Sequence, residues 1–363
     1  MKINFNDLKI QNKLIRSSII SNFKKTFDST KFILGPEVEL LEKKLAEYTS
    51  SKYCLTTSSG TDSLLISLMA LGIKKGDEVI TTSFTFVSTA EVISRLGAKI
   101  IFADISREDY NIDVDSLKNK LTNKTKAIIV VSLFGQTANF RRIKNVAKKI
   151  PIIEDGAQSF GSSHYGIKSC NLSLIGCTSF FPSKSLGCYG DGGAIFTNNK
   201  KIFKKMKMIR QHGQIKKYDY RLLGISARLD TLQAIVLLEK IKLLDVEISK
   251  RKKIFNHYYT NLSKINGIQI NNIKKGNKSN YSVLSIIVKK NRSKFIKYLK
   301  KNKIPTTIYY PKPLDTFKIF NKTKKITPIS LEISKKILSL PMSAYLSKPK
   351  QEYIISKIKQ YFL

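Results

Sequence analysis

Cys177-Thr-Ser-Phe-Phe-Pro-Ser-Lys-Ser-Leu-Gly-Cys-Tyr-Gly-Asp-Gly-Gly-Ala-Ile-Phe-Thr197 reads as strand, irregular loop, strand. The apolar run ends at Phe181, and Pro182 cannot donate to a ladder. Glycines at 187, 190, 192 and 193 precede Ala-Ile-Phe-Thr197, where an extended pattern resumes. Lys184 lies inside the loop, with no carboxylate before Asp191 and apolar residues on both flanks. Desolvation there would lower the pKa of its amine and make it a nucleophile. In a chain this rich in lysine the plain alternative is a solvated loop residue, so Lys184 needs partners elsewhere.

The 363 residues, 42% of them hydrophobic, allow one large domain and a smaller one. No apolar run approaches the roughly 20 residues of a membrane span, and Met1-Lys-Ile-Asn-Phe-Asn-Asp7 lacks the apolar block of a signal peptide. A cytoplasmic protein with no membrane partner is expected. Cysteines at 54, 170, 177 and 188 and histidines at 164, 212 and 257 show no paired spacing, which argues against disulfides and against a metal site. The net charge of +39 invites a nucleic-acid reading. Against it, the excess is nearly all lysine and spread along the chain, and Asn and Ile are abundant too, as AT-rich codons produce. No nucleic-acid partner is expected, although the basic bias after residue 240 would weakly attract anionic ligands such as nucleotides.

Outward from the lysine loop, the chain alternates. Helical patterns near Lys13–Phe23 and Val38–Tyr48 precede a strand, Tyr53–Thr57, which runs through Ser58-Ser-Gly-Thr-Asp62 into an apolar helix. Small residues at such a turn leave free N–H groups at a helix N-terminus, a ready phosphate site, although an ordinary helix cap explains them as well. Strands follow at Glu78–Thr82, Lys99–Ile105, Ala127–Leu133 and Ile150–Asp155, with helices between. This repetition predicts a mostly parallel α/β sheet covered on both faces, with its site beyond the carboxyl ends of the strands. The rule gathers Ser59–Asp62, Phe86, Asp155, Gln158 and Lys184 on one rim. Asp155 ends an apolar strand, where a carboxylate is costly to bury without a cation, so it wants a positive partner.

An amine, a carboxylate, an aromatic face and a phosphate cradle are the parts a pyridoxal 5′-phosphate site needs. The lysine forms a Schiff base, the acid keeps the pyridine nitrogen protonated, and the helix N-terminus holds the phosphate.

At these residues the chain resembles the sugar-nucleotide aminotransferases of the DegT/DnrJ/EryC1/StrS family. The motifs are Gly35-Pro-Glu-Val38, Ser59-Gly-Thr-Asp-Ser-Leu64, Phe84-Thr-Phe-Val-Ser88, Glu154-Asp-Gly-Ala-Gln-Ser159, Ser179-Phe-Phe-Pro-Ser-Lys184, Gly190-Asp-Gly-Gly193 and Arg228-Leu-Asp230. The resemblance implies a fold type I (aspartate aminotransferase-like) transferase, with Lys184 as the Schiff-base lysine and Asp155 as the pyridinium partner. It implies that Phe86 stacks on the ring, Gln158 lies near the ring hydroxyl, and Gly60, Thr61, Asp62 and Ser179 bind phosphate. It further implies a homodimer with shared active sites, in which Gly224–Asp230 reaches the partner's site. Arg228 is the candidate for gripping a carboxylate of glutamate or of an acidic sugar, because a guanidinium can bind one bidentately; a structural ion pair is the plain alternative.

Two positions depart from the family pattern. Ser226 stands where an Asn of the cofactor site is usual, and it reaches a phosphate less far. Tyr309-Tyr310-Pro311 stands where many members have His-Tyr-Pro, and Tyr309 cannot serve as a cation near neutral pH. Both tyrosines are candidate substrate contacts. The stretch from Gly176 to Gly193, with Ser132–Gln136 and Gln158–Gly161, most resembles the branch that aminates a UDP-linked 2-acetamido-2-deoxy-3-oxo-glucuronate for O-antigen, with L-glutamate as donor. Alternatives are amination of a 3- or 4-keto-6-deoxy sugar nucleotide and a non-catalytic cofactor-binding regulator. An intact Lys184 and Asp155 disfavour the regulator. Residues 1–240 are read as the cofactor domain. Residues 241–363 are read as a small α/β domain, entered by one long helix from Gln233 to about Leu262. It would then hold strands at Tyr281–Val288 and Thr306–Tyr310, and helices at Ser293–Asn302, Leu331–Leu338 and Lys348–Tyr361.

Overall fold

In Ala127-Ile-Ile-Val-Val131 every side chain is buried, which only a strand covered on both faces permits. The computed structural model, describing residues 2–320 and 326–362, places it near the middle of a seven-stranded sheet. The chain runs α1 (Leu8–Ser29), α2 (Pro36–Thr49), β1 (Tyr53–Thr57), α3 (Gly60–Ala70), β2 (Glu78–Thr82), α4 (Ser88–Arg95), β3 (Lys99–Ala103), α5 (Val114–Lys120), β4 (Thr125–Val131), α6 (Phe140–Ala147) and β5 (Ile152–Asp155). A hairpin of β6 (Ser163–His164) and β7 (Ile167–Lys168) leads to β8 (Ile175–Ser179), β9 (Gly193–Thr197) and α7 (Lys200–Arg210). The order across the sheet is β1-β9-β8-β5-β4-β2-β3. β9 is antiparallel to both neighbours, and the remaining pairs are parallel. Alternation of side chains builds two cores: Val79, Ile129 and Ile153 face one layer of helices, Ile80, Ile128 and Val130 the other.

After a short hairpin, β10 (Gln214–Lys216) and β11 (Asp219–Tyr220), come α8 (Thr231–Ile241) and α9 (Leu244–Leu262). The remainder is β12 (Ile268–Ile270), β13 (Asn277–Lys278), β14 (Leu284–Val288), α10 (Arg292–Lys301), α11 (Pro328–Lys336), β15 (Ile337–Leu340) and α12 (Lys348–Phe362). β12, β14 and β15 form an antiparallel sheet whose core includes Tyr258, Ile286, Phe295, Leu338 and Ile354. Ile3 joins that core from the opposite end of the chain. No helix among the described residues is long and apolar enough to cross a membrane.

Three expectations for the C-terminal region are corrected. The long helix is two helices parted at Lys242-Leu243: α8 packs on α1 and α2, whereas α9 turns Ile254, Tyr258 and Leu262 into the second core. Thr306–Tyr310 is no strand but a single bridge from Thr307 to Ser339, because Pro305 and Pro311 bracket it and remove ladder donors. The helix over Leu331–Leu338 ends at Lys336, and Ile337-Leu-Ser-Leu340, buried throughout, pairs with β14 instead.

Candidate active site

The carboxyl ends of the parallel strands open on one cavity of about 430 Å³. The β1–α3 turn brings Ser59, Gly60 and Thr61 to its wall, the β2–α4 turn brings Phe86, and β5 delivers Asp155 with Gln158 just beyond it. β8 delivers Ser179, and the loop after it delivers Lys184. Tyr309 and Tyr310 close the cavity from the C-terminal side. Thus residues from positions 59 to 184 meet because the strands that deliver them run in the same direction, and the C-terminal part adds Tyr309 and Tyr310.

Asp155 and Lys184 shift one another's ionisation. Burial raises the Asp155 carboxyl above its ordinary range, opposed by the N–H of Ala157 at 3.1 Å, the Lys184 charge and the Thr89 hydroxyl at 3.2 Å. Burial likewise lowers the Lys184 amine, opposed by Asp155. The positive partner that the buried acid requires is therefore the loop lysine.

The cradle is narrower than the motif indicates. Ser59 caps α3, its Oγ accepting from the N–H of Asp62 at 3.0 Å, while Asp62 Oδ2 accepts from Ser58 and Ser59 hydroxyls at 2.6 and 2.8 Å. Asp62 is thus engaged in the cap and stands outside the cavity lining. As the first residues of α3, Gly60 and Thr61 have amides with no intrahelical acceptor. A Cβ on Gly60 would lie 2.7 Å from Cβ of Ser179, so the helix end and the Ser179 hydroxyl are held edge to edge.

Phe86 keeps 57% of its surface open, an unpacked ring at the cavity wall. Gln158 is held at both ends of its amide: Oε1 accepts from the N–H of Phe134 at 2.9 Å, and Nε2 donates to the Tyr310 hydroxyl at 2.9 Å. Ser226 and Arg228 are not brought in. The Arg228 guanidinium donates to Ser226 Oγ at 3.1 Å, and neither lines the cavity of its own chain.

Sequence reasoning missed Thr89, Phe5, Asn6 and Ser282. Thr89 lies three residues past Phe86 on the first turn of α4, a spacing that places both near one helix end. Ser282 and the N-terminal pair carry no motif at all. Among the described residues, no group of three or more His, Cys, Asp or Glu side chains is arranged to hold a metal.

An amine beside a buried acid, an open ring and a helix N-terminus with no room for a Cβ, all at the C-terminal rim of this sheet, fit pyridoxal phosphate. The comparisons with known proteins agree. Residues 13–359 match the model of the DegT/DnrJ/EryC1/StrS aminotransferase family, and the chain belongs to that family. It is a pyridoxal-phosphate-dependent sugar-nucleotide aminotransferase of fold type I. It is 44% identical to UDP-2-acetamido-2-deoxy-3-oxo-D-glucuronate aminotransferase of Pseudomonas aeruginosa over 95% of this chain and 96% of that one. It is 34% identical to dTDP-3-amino-3,6-dideoxy-alpha-D-galactopyranose transaminase of Aneurinibacillus thermoaerophilus, over 99% of each. Among solved structures it resembles NtdA of Bacillus subtilis with bound cofactor PMP, at 26% identity and a TM-score of 0.93, covering 99% of this chain and 85% of that one.

Proposed function

We propose that the protein moves the amino group of L-glutamate to UDP-2-acetamido-2-deoxy-3-oxo-glucuronate, in the cytoplasm, for O-antigen or another lipopolysaccharide component. The observation that carries the chemistry is that Lys184 and Asp155, 29 positions apart, line one cavity and shift each other's ionisation. The choice of acceptor rests on the similarity to the Pseudomonas enzyme.

In this reading Gly60, Thr61 and Ser179 would hold the cofactor's phosphate, Phe86 its ring, Asp155 its ring nitrogen and Gln158 its ring hydroxyl. Bound there, the cofactor supplies an aldehyde that carries the amino group and a ring that accepts electron density. Lys184 is first the nucleophile that anchors the cofactor and then the base that takes the proton from the amino acid's α-carbon. Its depressed basicity leaves a larger neutral fraction near pH 7 than a solvated lysine has. Burial raises the Asp155 carboxyl, and the Ala157 amide, Lys184 and Thr89 each oppose that rise by favouring its charge.

Ser226 and Arg228, outside the cavity of their own chain, are assigned to the site of a second copy in a homodimer, Ser226 toward the cofactor phosphate and Arg228 toward a substrate carboxylate. Tyr309 and Tyr310 contact the substrate. A second reading, a keto-6-deoxy sugar acceptor, is favoured by the Aneurinibacillus relative, which matches over the full chain.

The test is the absorbance of the protein with pyridoxal phosphate, before and after glutamate, in wild type and Lys184→Ala. A cofactor band that glutamate shifts, absent from the variant, is expected. An identical response of the two proteins would remove Lys184 from the mechanism. Adding the 3-oxo uronic acid and, separately, a dTDP-linked keto-6-deoxy sugar then separates the acceptors by return of the first band.

A further inference from the structure

The first described residues form a strap across the cavity. At one end Ile3 is buried, 7% exposed, in the C-terminal core. At the other, Asp7 caps α1, its Oδ1 accepting from the N–H of Lys9 at 3.2 Å and its Oδ2 from Asn4 at 3.1 Å. One turn further on, Gln11 donates to buried Glu247 of α9 at 2.7 Å. With both ends tied, the two residues between them cannot drift away: Phe5 and Asn6 line the main cavity. Phe5 meets the Tyr309 ring edge to face, with centroids 6.5 Å apart. Asn6 also lines a smaller cavity of about 50 Å³ behind the loop, with Ser183, Lys184 and Ser185 in its wall. Its side-chain amide is exposed and takes no hydrogen bond from the described residues.

These features have a common consequence. If the strap were only a structural tie, Ile3 and the Asp7 cap would suffice, and the residues between could face solvent. Instead an aromatic pair and an unengaged amide stand at the wall of the cavity. An aromatic wall suits the C–H face of a pyranose ring, and an amide offers one acceptor and two donors to hydroxyl or acetamido groups. Resting on the reading of the cavity as a nucleotide-sugar site, we infer that Phe5 and Asn6 bind the sugar ring of the acceptor, Phe5 together with Tyr309 as its apolar wall and Asn6 by hydrogen bonding.

The probe is UDP-N-acetylglucosaminuronic acid, a non-reacting relative of the proposed acceptor with a hydroxyl in place of the ketone. Its binding to the cofactor-loaded enzyme is measured by calorimetry for wild type, Phe5→Ala and Asn6→Ala. Loss of one hydrogen bond or of a partly buried ring weakens binding roughly five- to tenfold. That loss in both variants, with melting temperatures within a degree or two of wild type, supports the assignment. Asn6 is exposed and makes no hydrogen bond to the described residues, so its variant decides the matter if Phe5→Ala proves unstable. Wild-type affinity in Asn6→Ala overturns the inference while the acceptor reading stands. If the wild-type enzyme does not bind the probe, the acceptor reading fails and the strap assignment with it.

Discussion

Gln158 and Tyr310, far apart in the chain, are joined by a 2.9 Å hydrogen bond from Gln158 Nε2 to the tyrosine hydroxyl. The bond spans the cavity from the end of β5 to the Tyr309-Tyr310 segment, and burial holds the Tyr310 phenol above its ordinary range, so it stays neutral. Tyr310→Phe leaves the amide N–H of Gln158 without its partner in a half-buried setting. A cost of about 1 kcal/mol is expected, with the melting temperature down by a few degrees. Cofactor affinity should fall too, measured by titration with pyridoxal phosphate, because Gln158 is no longer held at both ends.

Gly60→Ala tests the cradle. Alanine favours a helix over glycine by about 0.5–1 kcal/mol, but its methyl would meet Ser179 Cβ at 2.7 Å, and overpacking of that kind costs about 1–3 kcal/mol. The clash wins, and it acts where the helix end and the Ser179 hydroxyl converge. The dissociation constant for pyridoxal phosphate should rise about tenfold, while the far-ultraviolet circular dichroism stays that of wild type.

Glu154, next to Asp155 on the opposite face of β5, gives a pH dependence with a definite sign. It is fully buried, and burial pushes its carboxyl up to about 7, despite hydroxyls of Ser132 and Ser169 and the N–H of Cys170. A folded-state value above the unfolded 4.5 means that the folded protein holds the proton more tightly. Stability is therefore greatest below pH 4.5 as far as this group is concerned, falls between 4.5 and 7, and stays lower above 7, by on the order of 3 kcal/mol. Glu154→Gln has no charge to desolvate and can still accept from Cys170 and donate to the serines. Melting curves from pH 5 to 8.5 should slope less for the variant than for wild type.

Arg251 and Glu247 form a buried pair on α9, 3.7 Å apart, with Arg251 Nε donating to the carbonyl of Asn280 at 3.1 Å. Asn280 in turn donates to Ser185 Oγ at 3.1 Å, beside Lys184. Arg251→Met removes one charge and strands the other, which costs about 3–5 kcal/mol, whereas the double variant with Glu247→Gln should recover part of that loss. Denaturant unfolding of the two variants checks the difference. A single variant as stable as wild type would mean that Gln11 and Tyr345, which donate to Glu247 at 2.7 Å, suffice to hold it.

The alternation of strands and helices, the buried run Ala127–Val131, the lysine loop and the acid at the end of β5 were legible in the sequence because each depends on local pattern: apolar period, glycine and proline punctuation, and the cost of burying a charge. The C-terminal region was less legible. Ile337–Leu340 is as apolar as a helix face, and only the vacant edge of β14 decides that it is a strand. The break between α8 and α9 has no glycine or proline to mark it, because two different cores pull the halves apart.

Within the site, the same division holds. Sequence alone identified Lys184, Asp155, Phe86 and the Ser59–Asp62 turn as residues whose types and neighbours suit one chemistry. Tertiary structure decided that Asp62 is spent on a helix cap, that Gln158 is tied to Tyr310, that Thr89 donates to Asp155 from behind the cavity wall, and that Phe5 and Asn6 reach the cavity while Ser226 and Arg228 do not. The physical reason is range. Propensity and burial act over a few residues and leave their mark in the order of the chain, whereas a hydrogen bond between residues 158 and 310 exists only once two separately folded parts have met.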